Sequence, residues 1–168
     1  MAGHRLALSG VIGVADASPL HYLMLIGHID LLPALFSQIL VPPVVLDELR
    51  HRHAPQLVRA WATDPPTWLE CQAPEARLAD LPRALGPGER DTLALAATLH
   101  PAVVLIDERD GRREARRRGW PVMGTLGLLR AAADHRIENL NLADALARLR
   151  RTNFRASDAV FAEILRDA

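Results

Sequence analysis

Two short apolar runs in this 168-residue chain each end in an aspartate, and these two acids give the sequence its clearest chemical signal. Val11–Ala15 leads into Asp16, and Val103–Ile106 leads into Asp107. Short, continuous apolar runs bounded by polar residues indicate buried strands. Parallel sheets place their functional groups at the carboxyl ends of the strands. We therefore expect Asp16 and Asp107 to face one crevice if their strands are neighbours.

Further acids lie on the helices that are expected to surround these strands. Glu48 follows a third apolar run on a predicted helix, and Asp47 precedes it directly. Glu89 and Asp91 open the predicted helix that leads to the Asp107 strand. Neighbouring or alternate residues of a helix do not share a face, so only one member of each pair can turn inwards. The spacing does not decide between Glu89 and Asp91.

Converging carboxylates without lysine or paired histidine suggest a hard cation bound by oxygen, such as Mg²⁺ or Mn²⁺. Clustered carboxylates repel one another unless a cation neutralises them. Carboxylate-bound metal ions are a common device for phosphodiester hydrolysis. Ser18 and Thr125 follow strands and could bond a ligand oxygen or a metal-bound water. The simpler alternative for Asp16 is a helix N-cap, which aspartate favours strongly.

The formal net charge is zero, and all twenty basic residues are arginines. Because the whole molecule carries no excess positive charge, general attraction to nucleic acid is not expected. The distribution is uneven, with one dense run at Arg109, Arg112, Arg113, Arg116, Arg117 and Arg118. Such a run is usually a solvated helix face, in which Glu108 and Asp110 would pair with neighbouring arginines. The alternative is a phosphate-binding rim, because guanidinium groups match phosphate oxygens.

Helices and short apolar strands alternate throughout, which predicts an α/β fold. We expect a three-layer α/β/α sandwich with a central parallel sheet of four or five strands. Residues 1–168 form one domain, with the last two helices (about 141–167) as a C-terminal extension. No apolar stretch is long enough to cross a membrane and no signal-peptide pattern is present, so a cytoplasmic location is expected.

Several local features are also predicted. We expect a strand at Thr67–Leu69, a partly helical connection over Pro74–Pro87 and a helix over Thr92–Leu99. The single cysteine, Cys71, has no partner for a disulfide and is expected to be a small buried residue near Leu69.

Taken together, the motifs resemble those of the PIN-domain nucleases over almost the whole chain, from residue 11 to 165. The resemblance is carried by Val14–Leu20, Val41-Pro42 before Asp47-Glu48-Leu49, Gly88–Asp91, Leu105–Glu108, Gly111-Arg112, Val122–Gly127 and Phe154–Asp158. The last motifs are similar to a bacterial and archaeal PIN subfamily long catalogued without an assigned function.

This resemblance implies a VapC-like ribonuclease toxin of a type II toxin–antitoxin pair that uses Mg²⁺ or Mn²⁺. The expected metal ligands are Asp16, Glu48, Glu89 and Asp107, with Asp91 as the alternative to Glu89. The expected partners are RNA, a cognate antitoxin and a second copy in a homodimer. Phosphates would be bound by Arg109, Arg112, Arg113 and Arg116.

The chain departs from many VapC toxins at the fourth strand. A Thr-x-Asp motif is common there, whereas this chain has Ile106-Asp107-Glu108. Glu108 and Asp110 therefore remain possible substitutes for Asp107 as ligands. A second hypothesis is a catalytically inactive PIN-like protein that binds nucleic acid or a partner.

Overall fold

The computed structural model describes residues 8, 10–99 and 102–166, and its secondary structure alternates as the sequence predicts. The strands are β1 (Ile12–Ala15), β2 (Gln38–Val41), β3 (Leu69–Cys71), β4 (Ala102–Leu105) and β5 (Val122–Met123). The helices are α1 (Ala17–Leu25), α2 (Leu31–Leu35), α3 (Pro43–Arg50), α4 (Gln56–Thr63), α5 (Pro87–Ala96), α6 (Arg109–Arg117), α7 (Thr125–Asp134), α8 (Leu142–Arg150) and α9 (Asp158–Arg166).

The five strands form one parallel sheet in the order β3-β2-β1-β4-β5. β1 is central, and its residue Gly13 lies opposite Ile39 of β2 and Val103 of β4. The strand order reverses at β1, which is the position where open α/β sheets bind their ligands. The α/β prediction is confirmed, and β1 and β4 are neighbours.

Hydrophobic cores cover both faces of the sheet. Along each strand successive side chains point to opposite faces, so Val14 and Val104 pack against α5 and α6, whereas Ala15 and Leu105 belong to the larger core on the other face. That larger core contains buried residues from α1–α4 and α7–α9. The arrangement is the predicted three-layer sandwich.

Helix α5 begins at Pro87, five residues before the predicted start at Thr92. The Glu89 side chain accepts a hydrogen bond from the Gly86 N–H at 2.7 Å, which is the glutamate half of a capping box and holds the first turn. The preceding residues 72–86 contain no helix, so the prediction of a partly helical connection is wrong. The Arg90 side chain holds this coil by donating to the carbonyls of Pro82 and Leu85.

The prediction for Cys71 is also wrong, because its side chain is exposed. Leu69 donates its N–H to the Pro66 carbonyl in a turn, so the strand starts at Leu69 instead of Thr67. Among the described residues, β3 is an edge strand that pairs with β2 alone, and Leu69 is its one buried residue. Cys71 therefore ends a strand whose outer side has no neighbouring strand in this part of the chain.

The C-terminal helices continue the packing on one face of the sheet. α8 contacts α7, and α9 contacts α8. The Asn141 side chain caps α8 by accepting from the Asp144 N–H, and the Ser157 hydroxyl accepts from the Val160 N–H of α9 at 3.2 Å. Within the described residues, no helix combines the length and apolar character needed to span a bilayer.

Candidate active site

Asp16 lies at the carboxyl end of the central strand, where its backbone N–H donates to the Leu105 carbonyl at 2.9 Å. Its side chain occupies the N-cap position of α1 but makes no capping hydrogen bond. The residue is 5% exposed, and its Oδ1 atom is buried without a hydrogen-bond partner in the part of the chain that the structure describes. Helix capping therefore does not account for this carboxylate.

Gly88 brings the Asp16 and Glu48 carboxylates against one point of α5. A Cβ atom at Gly88 would lie 2.8 Å from Oδ1 of Asp16 and 2.7 Å from Oε1 of Glu48. Real Cβ atoms do not approach other atoms so closely, so the absence of a side chain at Gly88 leaves room for both carboxylates. Asp47 points elsewhere, with its side chain 76% exposed and 4.0 Å from Arg50.

Glu89 is turned towards the same region. One carboxylate oxygen accepts the capping bond from Gly86, and the other, Oε1, is buried without a partner among the described residues. Oε1 lies 3.0 Å from the position of a Cβ at Gly111 of α6. Asp91 lines a different hollow of about 440 Å³, beneath the coil that precedes α5. The structure thus brings Glu89, and not Asp91, to the carboxylates.

Asp107 is held by the first residue of α7. The Thr125 N–H donates to Oδ1 and the Thr125 hydroxyl donates to Oδ2, each at 2.7 Å. The Arg112 guanidinium bonds the Asp107 carbonyl oxygen. The Thr125 side chain is fully buried, so it fixes the orientation of Asp107 at the end of β4.

The four acids influence one another electrostatically. The pKa of Asp16 is raised to about 7: burial is the largest cause, the Ala17 N–H opposes it, and the negative charges of Glu48, Glu89 and Asp107 add to the increase. Burial also raises the pKa values of Glu48, Glu89 and Asp107. Such shifts arise where negative charges are close together and poorly compensated. The site therefore favours either protons or a cation.

The donor set is suited to a hard cation. It consists of carboxylate oxygens, and the unpartnered buried atoms Oδ1 of Asp16 and Oε1 of Glu89 offer free lone pairs. As the side chains stand, no group of three or more His, Cys, Asp or Glu residues within the described ranges is close enough to hold one ion. Glu48 is an exposed residue of α3, so its side chain has room to change rotamer.

The arginines predicted to bind phosphate differ in their availability. Arg112 is engaged with the Asp107 carbonyl, and Arg113 pairs with Asp110 at 2.9 Å. Arg109 and Arg116 are exposed, and neither guanidinium has a partner among the residues that the structure describes.

The structure reveals two site residues that sequence reasoning did not single out. In the sequence, Gly88 and Gly111 stand out only as members of the motifs Gly88–Asp91 and Gly111-Arg112 that carry the family resemblance. For Glu89 a sequence signal existed, because a residue three positions after a helix start is the partner in a capping box. No comparable signal marks the close approach of a carboxylate to a glycine.

Comparison with known proteins agrees with this architecture. A family model described as a PIN domain matches residues 12–168, and the chain belongs to this family. PIN domains are generally nucleases, so membership indicates a nuclease-type, hydrolytic function. PIN nucleases typically use divalent metal ions. Searches among curated proteins and solved structures found no match.

Proposed function

We propose that this protein is a metal-dependent endoribonuclease that hydrolyses phosphodiester bonds of RNA. The observation that carries the proposal is the position of Asp16, whose buried, unpartnered Oδ1 lies at the strand-order reversal among three further acids. PIN-domain membership supports the hydrolytic class, and the carboxylate donors support Mg²⁺ or Mn²⁺.

In this proposal, Asp16, Glu48, Glu89 and Asp107 would hold the cation. A bound divalent cation would supply an activated water and would stabilise charge on the leaving oxygen. The chain's own contribution is positioning. Thr125 holds Asp107 through two hydrogen bonds, and Gly88 leaves space for the Asp16 and Glu48 carboxylates.

Recognition of RNA would use α6, which follows the Asp107 strand. Arg109 and Arg116, whose guanidinium groups have no partner among the described residues, would bind phosphates, and this binding would be sensitive to salt. Ser18, two residues after Asp16, carries a hydroxyl that could bond an oxygen of the ligand.

The biological role that we propose is the toxin of a type II toxin–antitoxin pair acting in the cytoplasm, with RNA as substrate, a cognate antitoxin and a homodimeric state. Its support is the resemblance of the motifs to VapC-like proteins. The test is induced expression in a bacterial host, in which the wild-type chain arrests growth and Asp16→Asn does not. Co-expression with the product of a small overlapping upstream reading frame would restore growth, and size-exclusion chromatography with light scattering would measure the homodimer.

The biochemical test is cleavage of labelled RNA by purified protein with Mg²⁺, Mn²⁺ or a chelator. Asp16→Asn should lower the rate by about a hundredfold or more, because it removes the charge of a metal ligand. Asp47→Asn is the matched control: it changes an exposed acid next to Glu48 and should leave cleavage within about twofold, as expected for a surface substitution.

The second candidate function is a PIN-like binding protein without catalysis. It is favoured by one observation, that both carboxylate oxygens of Asp107 already accept hydrogen bonds from Thr125. The same experiment separates the two functions. An inactive binding protein shows no metal-dependent cleavage, and its affinity for RNA is the same in wild type and Asp16→Asn.

A further inference from the structure

A cleft between α1 and α3 opens beside Glu48 and is not used by the carboxylate chemistry. Two adjoining hollows of about 260 and 450 Å³ lie here and share Glu48 and Ala54. The smaller hollow, which we call the α1–α3 cleft, is lined by Ser18, His21, Tyr22, Glu48, Leu49 and Ala54, together with Ala17. Because Glu48 is shared with the proposed metal site, a molecule bound at that site would extend into the cleft.

The lining of the α1–α3 cleft offers hydrogen-bonding groups beside flat rings. The Ser18 hydroxyl and both ring nitrogens of His21 have no hydrogen-bond partner in the described part of the chain. The His21 ring packs edge-to-face with Tyr22, with centroids 4.9 Å apart. Burial lowers the pKa of His21, which favours the neutral imidazole with one donor and one acceptor.

Tyr22 is fixed in this position from the side of the C-terminal helices. Its hydroxyl donates to Oδ1 of Asn153 at 3.1 Å, and its ring packs edge-to-face with Phe154 at 5.0 Å. Because the ring is held from two sides, its side chain is already ordered, so packing a ligand against it costs little conformational entropy.

The charged side chains that line the two hollows disfavour a phosphate and favour an uncharged group. Within the described residues, no arginine lines either hollow, and the charged side chains that do are Asp47 and Glu48. The free arginines of α6 lie across the site, because α3 follows β2, α6 follows β4, and these strands flank β1 on opposite sides. A strand of RNA crossing Asp16 would therefore place its phosphates towards α6 and a base towards the cleft.

We propose that the α1–α3 cleft receives one unstacked base of single-stranded RNA, next to the phosphate that is cleaved. This inference rests on the proposed ribonuclease function and adds the form of the substrate. A base can enter such a hollow only when it is splayed out of a helix, where aromatic rings and hydrogen bonds then recognise it. Paired RNA presents no free base and is expected to bind weakly.

The test is an abasic scan of binding. A short single-stranded oligoribonucleotide is prepared with one base removed at each position in turn, and binding to the full chain is measured by fluorescence anisotropy. The binding buffer contains calcium instead of magnesium so that binding is measured without cleavage, and gels verify that the RNA stays intact. Base–aromatic stacking contributes enough that one or two abasic positions should weaken binding about tenfold. The duplex of the same sequence should compete poorly.

His21→Ala should weaken binding of the intact oligonucleotide to a similar extent. The variant should bind the intact oligonucleotide no more tightly than the one that lacks the sensitive base. His28→Ala is the matched control, because His28 is another partly buried histidine with a pKa lowered by burial, but it lies beyond the far end of α1. This control should retain the wild-type pattern. The abasic scan of the wild-type protein decides the question even if His21→Ala fails to fold.

The proposal is overturned if binding ignores abasic sites at every position, if duplex RNA competes as well as single-stranded RNA, or if a folded His21→Ala variant keeps the wild-type pattern. Failure of the proposed function has a different signature. A protein with the abasic pattern that does not cleave with Mg²⁺ or Mn²⁺ contradicts the ribonuclease function alone. A protein that cleaves RNA but ignores abasic sites contradicts the base-binding cleft alone.

Discussion

Thr125 donates two hydrogen bonds to Asp107, one from its backbone N–H and one from its hydroxyl, each 2.7 Å long. This pair joins the end of β4 to the first residue of α7. It orients the carboxylate, and it also stabilises the negative charge, since both donors lower a pKa that burial raises. The same contact therefore serves the fold and the proposed metal site.

Replacing Thr125 with valine should impair both the stability of the fold and binding at the proposed metal site. The change removes one hydrogen bond to a partly buried carboxylate, which costs about 1–2 kcal/mol in the free energy of unfolding. Affinity for Mn²⁺ should fall, because the pKa of Asp107 rises and its orientation loosens. Thermal unfolding and a Mn²⁺ titration measure the two effects. Thr125→Ser keeps the hydroxyl and should restore both, and equal Mn²⁺ affinity in the valine and serine variants would contradict the role of the hydroxyl.

The raised pKa of Asp16 predicts an unusual dependence of stability on pH. The group has a pKa of about 7 in the folded chain and an ordinary value of 3.8, so between these values the folded state binds more protons than the unfolded state. Its contribution to the free energy of unfolding therefore decreases as pH rises from about 4 to 7 and is constant above that range. The decrease amounts to a few kcal/mol.

Asp16→Asn removes this titration, so the variant should gain stability relative to wild type as pH rises through the same range. Denaturant unfolding in the presence of a chelator measures the difference at each pH. A constant difference between pH 4 and 7 would show that Asp16 titrates normally. Mn²⁺ should remove most of the difference at pH 7, because a bound cation stabilises the wild-type carboxylate.

Gly88→Ala should weaken metal binding while leaving the chain folded. The new Cβ would lie within 2.8 Å of carboxylate oxygens of Asp16 and Glu48, so these side chains must move apart. Alanine suits the helical backbone at this position, which limits the cost to the fold. Circular dichroism and a Mn²⁺ titration test this prediction, with Gly127→Ala as a control whose nearest neighbour would be at an ordinary 3.6 Å. Unchanged Mn²⁺ affinity in Gly88→Ala would place the ion elsewhere.

The arginine run of α6 should divide into two groups. Arg109→Gln or Arg116→Gln should weaken RNA binding and reduce its salt dependence by about one phosphate contact, because these guanidinium groups have no partner within the described ranges. Arg117→Gln should instead lower the thermal stability of the fold, because Arg117 bonds Glu114, a 4%-exposed carboxylate that also bonds Arg118.

Fluorescence anisotropy over a range of salt concentrations measures the effect on RNA binding, and thermal unfolding measures the effect on stability. The pKa of Glu114 is lowered to about 2, chiefly by the hydrogen bond from Arg117. Its contribution to stability is present above its ordinary value of 4.5 and disappears as pH falls towards 2. A uniform loss of RNA affinity across all three substitutions would contradict the division.

The central part of the fold could be predicted because its signals are local. Continuous apolar strands ending in Asp16 and Asp107 indicate a buried parallel sheet, and β1 and β4 are indeed neighbours. The coil over residues 72–86 could not be predicted, because it is held by the Arg90 side chain reaching back to the Pro82 and Leu85 carbonyls. The exposure of Cys71 depends on the order of the strands, which its own neighbours in sequence do not encode.

In the candidate site, too, some features could be predicted from the sequence and others could not. Residue types and strand ends indicate the acids, whereas the choice between Glu89 and Asp91 depends on the direction of each side chain from the first turn of α5. That direction is fixed by the capping bond to Gly86. The proximity of Asp16 and Glu48 arises from tertiary packing around Gly88, which no spacing in the sequence specifies.

The position of β1 at the centre of the sheet has a further consequence for how the carboxylates respond to different ions. β1 is hydrogen-bonded to a strand on each side, so the backbone that carries Asp16 is immobilised. Glu48 has a longer side chain on an exposed part of α3, with more rotatable bonds. In the proposed metal site, Glu48 would therefore adjust to differences in ionic radius between cations, and Asp16 would keep the position of the ion constant relative to the sheet.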